Sequence, residues 1–289
     1  MKPLFESPVF KEAQCKCGAV YRAKWIVFGG ILMDTSSGIC FECRQKELQQ
    51  ERETERKAEM LARKEQIVKR RGEWIKLVIP SKYVDRTFKA FHGNRGNLQK
   101  IFKACVDYAE NFPIDYIVWL QEKKKAYPSL FLGSANFGTG KTHLACAIAH
   151  RIIERWNGEH VACPVLVISE GDIYRNIQNT YSYDNKERQA MDSEADIIYR
   201  LQHVPLLVLD DIGKESRQDL RFVQRIMFGV IDGRYKYNRP MIVTTNLSGE
   251  DMSRYLGVGV ESASADRLVE MCRNNMWEIK AESFRLNPD

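Results

Sequence analysis

Ser129-Leu130-Phe131-Leu132-Gly133-Ser134-Ala135-Asn136-Phe137-Gly138-Thr139-Gly140-Lys141-Thr142-His143-Leu144 passes from an apolar run through a glycine-rich turn into a helix-forming sequence. That order predicts a strand, a phosphate-binding loop and a helix. Gly138 and Gly140 let successive backbone N–H groups turn inward around a triphosphate, and the helix opening near Lys141 points its partial positive end at the same anion. Lys141 is expected to reach the β and γ phosphates and the Thr142 hydroxyl to hold Mg²⁺. Asn136, Phe137, Gly138, Thr139, Gly140, Lys141, Thr142 and His143 are therefore the expected nucleotide-binding set. Ala135 replaces the first glycine of the G-x-x-x-x-G-K-[ST] pattern. Alanine lacks glycine's freedom at positive φ, so that end of the loop is expected to follow a slightly different path.

A second stretch supplies the chemistry that the loop lacks. Val204-Pro205-Leu206-Leu207-Val208-Leu209-Asp210-Asp211 is an unbroken apolar strand ending in two carboxylates, and in parallel α/β sheets ligands sit at that C-terminal edge. Asp210 is expected to bind Mg²⁺ through its outer shell, and Asp211 to orient and polarise the attacking water. The shorter Asp at the second position, where many relatives carry Glu, suggests slow turnover. Pro240-Met241-Ile242-Val243-Thr244-Thr245-Asn246 reads as another buried strand, placing Asn246 at the same edge to hold the water or the γ-phosphate. Arg267 lacks an acidic residue four positions earlier, position 263 being Ala. It is the candidate charge donor to a neighbouring subunit's phosphates, with a local ion pair to Asp266 or Glu270 as the alternative.

The remaining expected elements are helices over Asn97 to Phe112, Tyr116 to Lys124, Lys141 to Trp156 and Gln218 to Tyr235, a buried parallel strand over Pro164 to Ser169, and a final strand over Trp277 to Phe284. The chain has 289 residues, 44% of them hydrophobic, and a formal net charge of +6; this permits contact with nucleic acid without establishing it. No stretch approaches the roughly 20 apolar residues of a membrane span, and the N-terminus does not read as a signal peptide. The expectation is a cytoplasmic protein with no membrane partner, whose eight cysteines are thiols or metal ligands before disulfides.

Four of those cysteines form two pairs, Cys15-Lys16-Cys17 and Cys40-Phe41-Glu42-Cys43. Four thiolates close a tetrahedral Zn²⁺ site, and metal binding supplies folding energy to a segment too small for its own core. Trp25 to Phe28 and Ile31 to Met33 around Gly29-Gly30 predict a β-hairpin, so the whole resembles a zinc ribbon with one tight C-x-C knuckle. From Arg44 to Lys76 charged helix formers dominate, with Glu53 before Lys57, Glu59 before Arg63 and Glu65 before Lys69, the i,i+4 pattern of an exposed helix. The expected divisions are a zinc-ribbon-like module over 1–43, a charged helical connector over 44–78 and an ATPase domain over 79–289.

From about Ile79 onward the chain resembles the DnaC/DnaI-type replicative helicase loaders, a branch of the AAA+ ATPases. The motifs that carry the likeness are Ile79-Pro80 with Asp85-Arg86-Thr87-Phe88, the Gly138–Thr142 loop, Leu207 to Gly213, Arg239-Pro240 with Thr244 to Ser248, Asp266 to Cys272, and Ser283-Phe284-Arg285. The resemblance implies a five-stranded parallel AAA+ sheet without a C-terminal lid, ATP and Mg²⁺, Asn246 as sensor 1, and Arg267 as an arginine finger acting through self-assembly. It further implies a tyrosine-bearing insertion over Asp172 to His203 facing single-stranded DNA, and a replicative hexameric helicase as partner. Two alternatives remain open: a transposition helper of the IstB type, and a zinc-dependent adaptor that binds nucleotide with little hydrolysis.

Overall fold

The computed structural model describes residues 9–28, 31–34, 38–93, 95–156, 162–183, 191–214, 220–257 and 263–286. The chain divides into two units, Met1–Gln66 and Ile67–Asp289. In the first, β1 (Val9–Gln14), β2 (Val20–Phe28) and β3 (Ile31–Asp34) form an antiparallel sheet in that order. β2 and β3 pair with Phe28 opposite Ile31, where the sequence places a hairpin; Gly29 and Gly30 lie outside the described residues. β1, which the sequence reading did not identify, adds the outer strand. The 38-residue helix α1 (Phe41–Val78) follows.

The second unit is built on one parallel sheet of β4 (Leu130–Gly133), β5 (Val165–Ser169), β6 (Leu206–Ile212), β7 (Met241–Thr245) and β8 (Met276–Glu278). Its order is β5-β6-β7-β4-β8. Parallel strands need crossovers, here α4 (Lys141–Arg155), α5 (Glu170–Tyr181) with α6 (Glu194–His203), α7 (Leu220–Lys236), and α8 (Gly249–Leu256) with α9 (Ala263–Cys272). Two further helices, α2 (Leu98–Asn111) and α3 (Tyr116–Lys123), precede β4.

Strand alternation explains why both faces are covered. Leu206, Val208 and Ile242 pack into one apolar cluster with Leu144, Ile148 and Ile152 of α4 and Ile101 of α2. Leu207, Leu209, Met241 and Val243 pack into the other with Ile226, Val230 and Ile231 of α7. Side chains two apart share a face, so a continuous apolar strand serves both layers. Each fully buried Leu, Ile or Val contributes about 1.5–3 kcal/mol.

One expectation needs correction. The last strand is only Met276–Glu278, because beyond Ile279, whose N–H donates to Gly133 O at 2.7 Å, the chain leaves the sheet and wraps the phosphate loop. The tyrosines of the Asp172–His203 stretch are not equivalent: Tyr174 is buried, its hydroxyl bonded to Glu170 Oε1 at 3.0 Å, whereas Tyr199 is 63% exposed.

Candidate nucleotide site and cysteine cluster

The three central strands end in a common place. β4 runs into the loop, whose start is tied to β7 by Ser134 N–H donating to Thr245 O at 3.2 Å. Gly138 and Gly140 have φ of 73° and 95°. A Cβ on Gly138 would lie 2.5 Å from Ser283 Oγ, and one on Gly140 would lie 2.9 Å from Phe91 Cε2, so glycine is required at both for conformation and for space. Ala135 lies outside the left-handed region. Alanine therefore meets no backbone penalty at this position.

Lys141 opens α4 and is only 6% exposed. Its ammonium donates to Asn136 O at 3.1 Å and to Asn246 Oδ1, bringing loop and β7 together. Burial pushes it down to about 8, against the opposing pull of Asp211 and then Asp210. Asp210, 7% exposed, accepts from Thr244 Oγ1 at 2.6 Å and Thr142 Oγ1 at 2.9 Å. Burial raises its pKa, and those two hydroxyl bonds restrain the rise. The adjacent Thr142 hydroxyl and Asp210 carboxylate are hard oxygen donors of the kind Mg²⁺ takes.

Asp211 is turned into the cleft by an irregularity in the β6–β7 register between Leu209 and Ile212. Its φ is 63°, its N–H donates to Thr244 Oγ1 at 2.8 Å, and its carboxylate meets Lys214 at 3.0 Å and Asn246 Nδ2 at 3.5 Å. A cleft of about 440 Å³ opens above these groups. Phe137, Gly138, Thr139, Gly140, Lys141, Thr142 and His143 all line it; Asn136 stands behind, giving its carbonyl to Lys141. His143 contacts Thr87 O at 2.9 Å and meets the Phe91 ring edge-on at 5.0 Å, and burial lowers its pKa.

Several lining residues carried no site role in the sequence reading: Tyr83, Arg86, Phe91, Lys214, Phe284 and Arg285. The Ser283-Phe284-Arg285 motif was the available signal. Phe284 N–H donates to Gly138 O at 2.9 Å, which lays Arg285 against the loop. Arg267 is the residue that the geometry keeps apart. It pairs with Asp232 Oδ1 of α7 at 2.8 Å, beside the rings of Phe228 and Tyr235; Glu270 accepts instead from Tyr235 OH at 3.0 Å.

In the first unit the sulfurs of Cys15, Cys17, Cys40 and Cys43 all lie within 4.8 Å of one another, with Cys17 and Cys40 at 3.6 Å. A tetrahedral site with Zn–S of about 2.3 Å has sulfurs about 3.8 Å apart, so the donor set fits zinc. The tight knuckle is the β1–β2 turn itself, closed by Cys15 N–H to Ala19 O at 2.8 Å with Gly18 at φ 91°. The second pair stands at the start of α1, where an i,i+3 spacing brings two thiols to one side.

Comparisons with known proteins agree with this geometry. Residues 126–289 match the family described as IstB-like ATP binding protein. The replicative helicase loader DnaC of Escherichia coli K12 is 30% identical over 151 residues, 52% of this chain and 53% of that protein; the chain thus spans about half the length of that relative. DnaC of Buchnera aphidicola subsp. Baizongia pistaciae is 27% identical over 197 residues, 68% of this chain and 67% of that protein. Among solved structures, the DnaC helicase loader matches with TM-score 0.50 at 20% identity over 70% of this chain and all of that one. DnaI matches with TM-score 0.50 at 20% identity over 71% and 93%. Both support the AAA+-type fold. A phosphate loop, a paired-acid strand and a polar β7 terminus in this strand order, with the matched family spanning all three, place the chain in the IstB-like ATP-binding family.

Proposed function

We propose that this protein is an ATP-controlled loader of a replicative helicase onto single-stranded DNA. The observation that carries the nucleotide half is the convergence of Lys141, Thr142, Asp211 and Asn246 on one cleft, with Asp210 bonded to Thr142 behind it. The helicase half rests on the likeness to DnaC.

In this account the loop N–H groups and Lys141 hold the β and γ phosphates, and Thr142 and Asp210 hold Mg²⁺, which neutralises charge developing on the phosphates. Triphosphate replaces Asn246 as the main partner of Lys141, and the freed amide orients water toward Asp211. Asp211 must first exchange its ion pair with Lys214, which makes turnover slow and open to control by a partner. Arg267 leaves Asp232 to reach a neighbouring copy's phosphates, so that hydrolysis depends on assembly. The exposed Tyr181 and Tyr199 suit base stacking, and the cysteine module with bound zinc suits contact with the helicase.

The test is co-elution of the full chain with the cognate helicase, combined with turnover by mixtures of Lys141→Ala and Arg267→Ala protein. Co-elution, with activity restored on mixing, is expected: one copy supplies the finger and the other the site. Failure to retain any helicase, with binding to a transposase instead, would replace the loader reading with that of a transposition helper.

A further inference from the structure

Arg239-Pro240, a motif left without a role above, leads to the opposite edge of the sheet. Here the segments entering β4, β7 and β8 enclose a cavity of about 300 Å³, with Arg234, Lys236, Asn238, Arg239, Glu270 and Arg273 in its lining. Arg234 is fully buried. Its two terminal nitrogens donate to the carbonyls of Leu201 at 2.5 Å, Val204 at 3.0 Å and Pro240, while its Nε is buried with no partner. Arg239 lies over the Tyr116 ring at 5.6 Å, and its Nε and Nη1 are likewise buried without partners.

Among the described residues neither guanidinium is ion-paired; Lys236 is matched by Asp232 at 2.8 Å, and Glu270 is held by the Tyr235 hydroxyl. Burial, and then the neighbouring Arg239, pushes Arg234 down to about 9, still cationic at neutral pH. Buried charges are ordinarily paired, and a buried donor left without a partner destabilises the fold. A cation would be repelled here and an apolar group would leave the donors unmet. The planar guanidinium fork suits a multi-oxygen anion.

We propose that this cavity binds an oxyanion of the phosphate class between Arg239 and Arg234, at the sheet edge opposite the nucleotide. The inference is independent of the loader reading.

The test is thermal unfolding of the full chain with the nucleotide cleft saturated by Mg·ADP, with inorganic phosphate titrated against chloride at constant ionic strength. A saturable rise in midpoint is expected, since a ligand bound only by the native state stabilises it in proportion to the logarithm of occupancy. Arg239→Gln is expected to weaken phosphate about tenfold or more while keeping Mg·ADP affinity and near-ultraviolet circular dichroism, and Arg239→Lys to recover part of the loss. Two results overturn the proposal. One is a rise without saturation, the general effect of an excluded salt; it needs no variant to be seen. The other is a saturable rise unchanged in Arg239→Gln, which assigns the phosphate to the place beside ADP. A single-stranded thymidine oligonucleotide then distinguishes the source: competition with phosphate identifies a nucleic-acid backbone phosphate, its absence a free anion, and the proposal stands in both cases.

Discussion

The two edges of the parallel sheet both gather cations, and they handle them in opposite ways. At the C-terminal edge Lys141 sits among Asp210, Asp211 and the Asn246 amide, so charge is locally compensated and the groups can exchange partners when a polyphosphate arrives. At the N-terminal edge Arg234 is fixed to the carbonyls of Leu201, Val204 and Pro240, and among the described residues neither it nor Arg239 is ion-paired. One edge is built to switch and the other to hold.

The sharpest break between them is in stability. Arg234→Met removes the guanidinium donor from the carbonyls of Leu201, Val204 and Pro240, and is expected to cost about 3–5 kcal/mol in urea unfolding. A loss under about 1 kcal/mol would mean that the N-terminal edge is not held by this side chain. Lys141→Ala is expected to leave the fold intact and to lower ATP turnover at least about a hundredfold, the reverse pattern.

A third test uses pH. Lys141 titrates in the folded chain at about 8, below its ordinary 10.5. Between these values the unfolded chain binds more protons, so the cost of burying this charge is felt below about 8 and fades as pH rises. ATP selects the protonated ammonium. Its affinity should therefore be flat below about 8 and fall above it by up to about tenfold per pH unit, as read by titration calorimetry. An affinity independent of pH up to 10 would place Lys141 outside the phosphate contacts.

The smallest expected effect is at Ala135. Because its backbone is not left-handed, Ala135→Gly should only raise the entropy of the unfolded chain, lowering stability by about 0.4–1 kcal/mol, with turnover within about a factor of two. A large gain in turnover would show that alanine restrains the loop.

The contrast between edges also marks what was legible in the sequence. The C-terminal edge was readable because its parts are local: Gly138 to Thr142 and Leu206 to Asp211 are contiguous strings whose residue types answer directly to phosphate and metal. Strand existence was equally plain, since buried parallel strands are continuous apolar runs. What escaped depends on distant contacts. The register irregularity that turns Asp211 and the packing of Phe91 on Gly140 are not written in any single segment. For Arg267 the local alternative to a finger named only Asp266 and Glu270, the acids near it in sequence, whereas the acid it meets, Asp232, lies on another helix. The last strand was read too long because Ile279 and Ala281 follow on from it as buried apolar positions, yet they enter the apolar cluster beyond the last ladder pair, at Glu278. The arginine pocket had one trace, Arg239-Pro240, with nothing nearby to give it meaning.

The central claim, nucleotide control of a helicase contact, is tested most directly by the amount of cognate helicase retained on the immobilised full chain with a non-hydrolysable ATP analogue and with ADP. Strong retention with the analogue, release with ADP, and no difference between the two nucleotides in Lys141→Ala protein are expected. Equal retention in both nucleotide states by the unaltered chain would contradict the account.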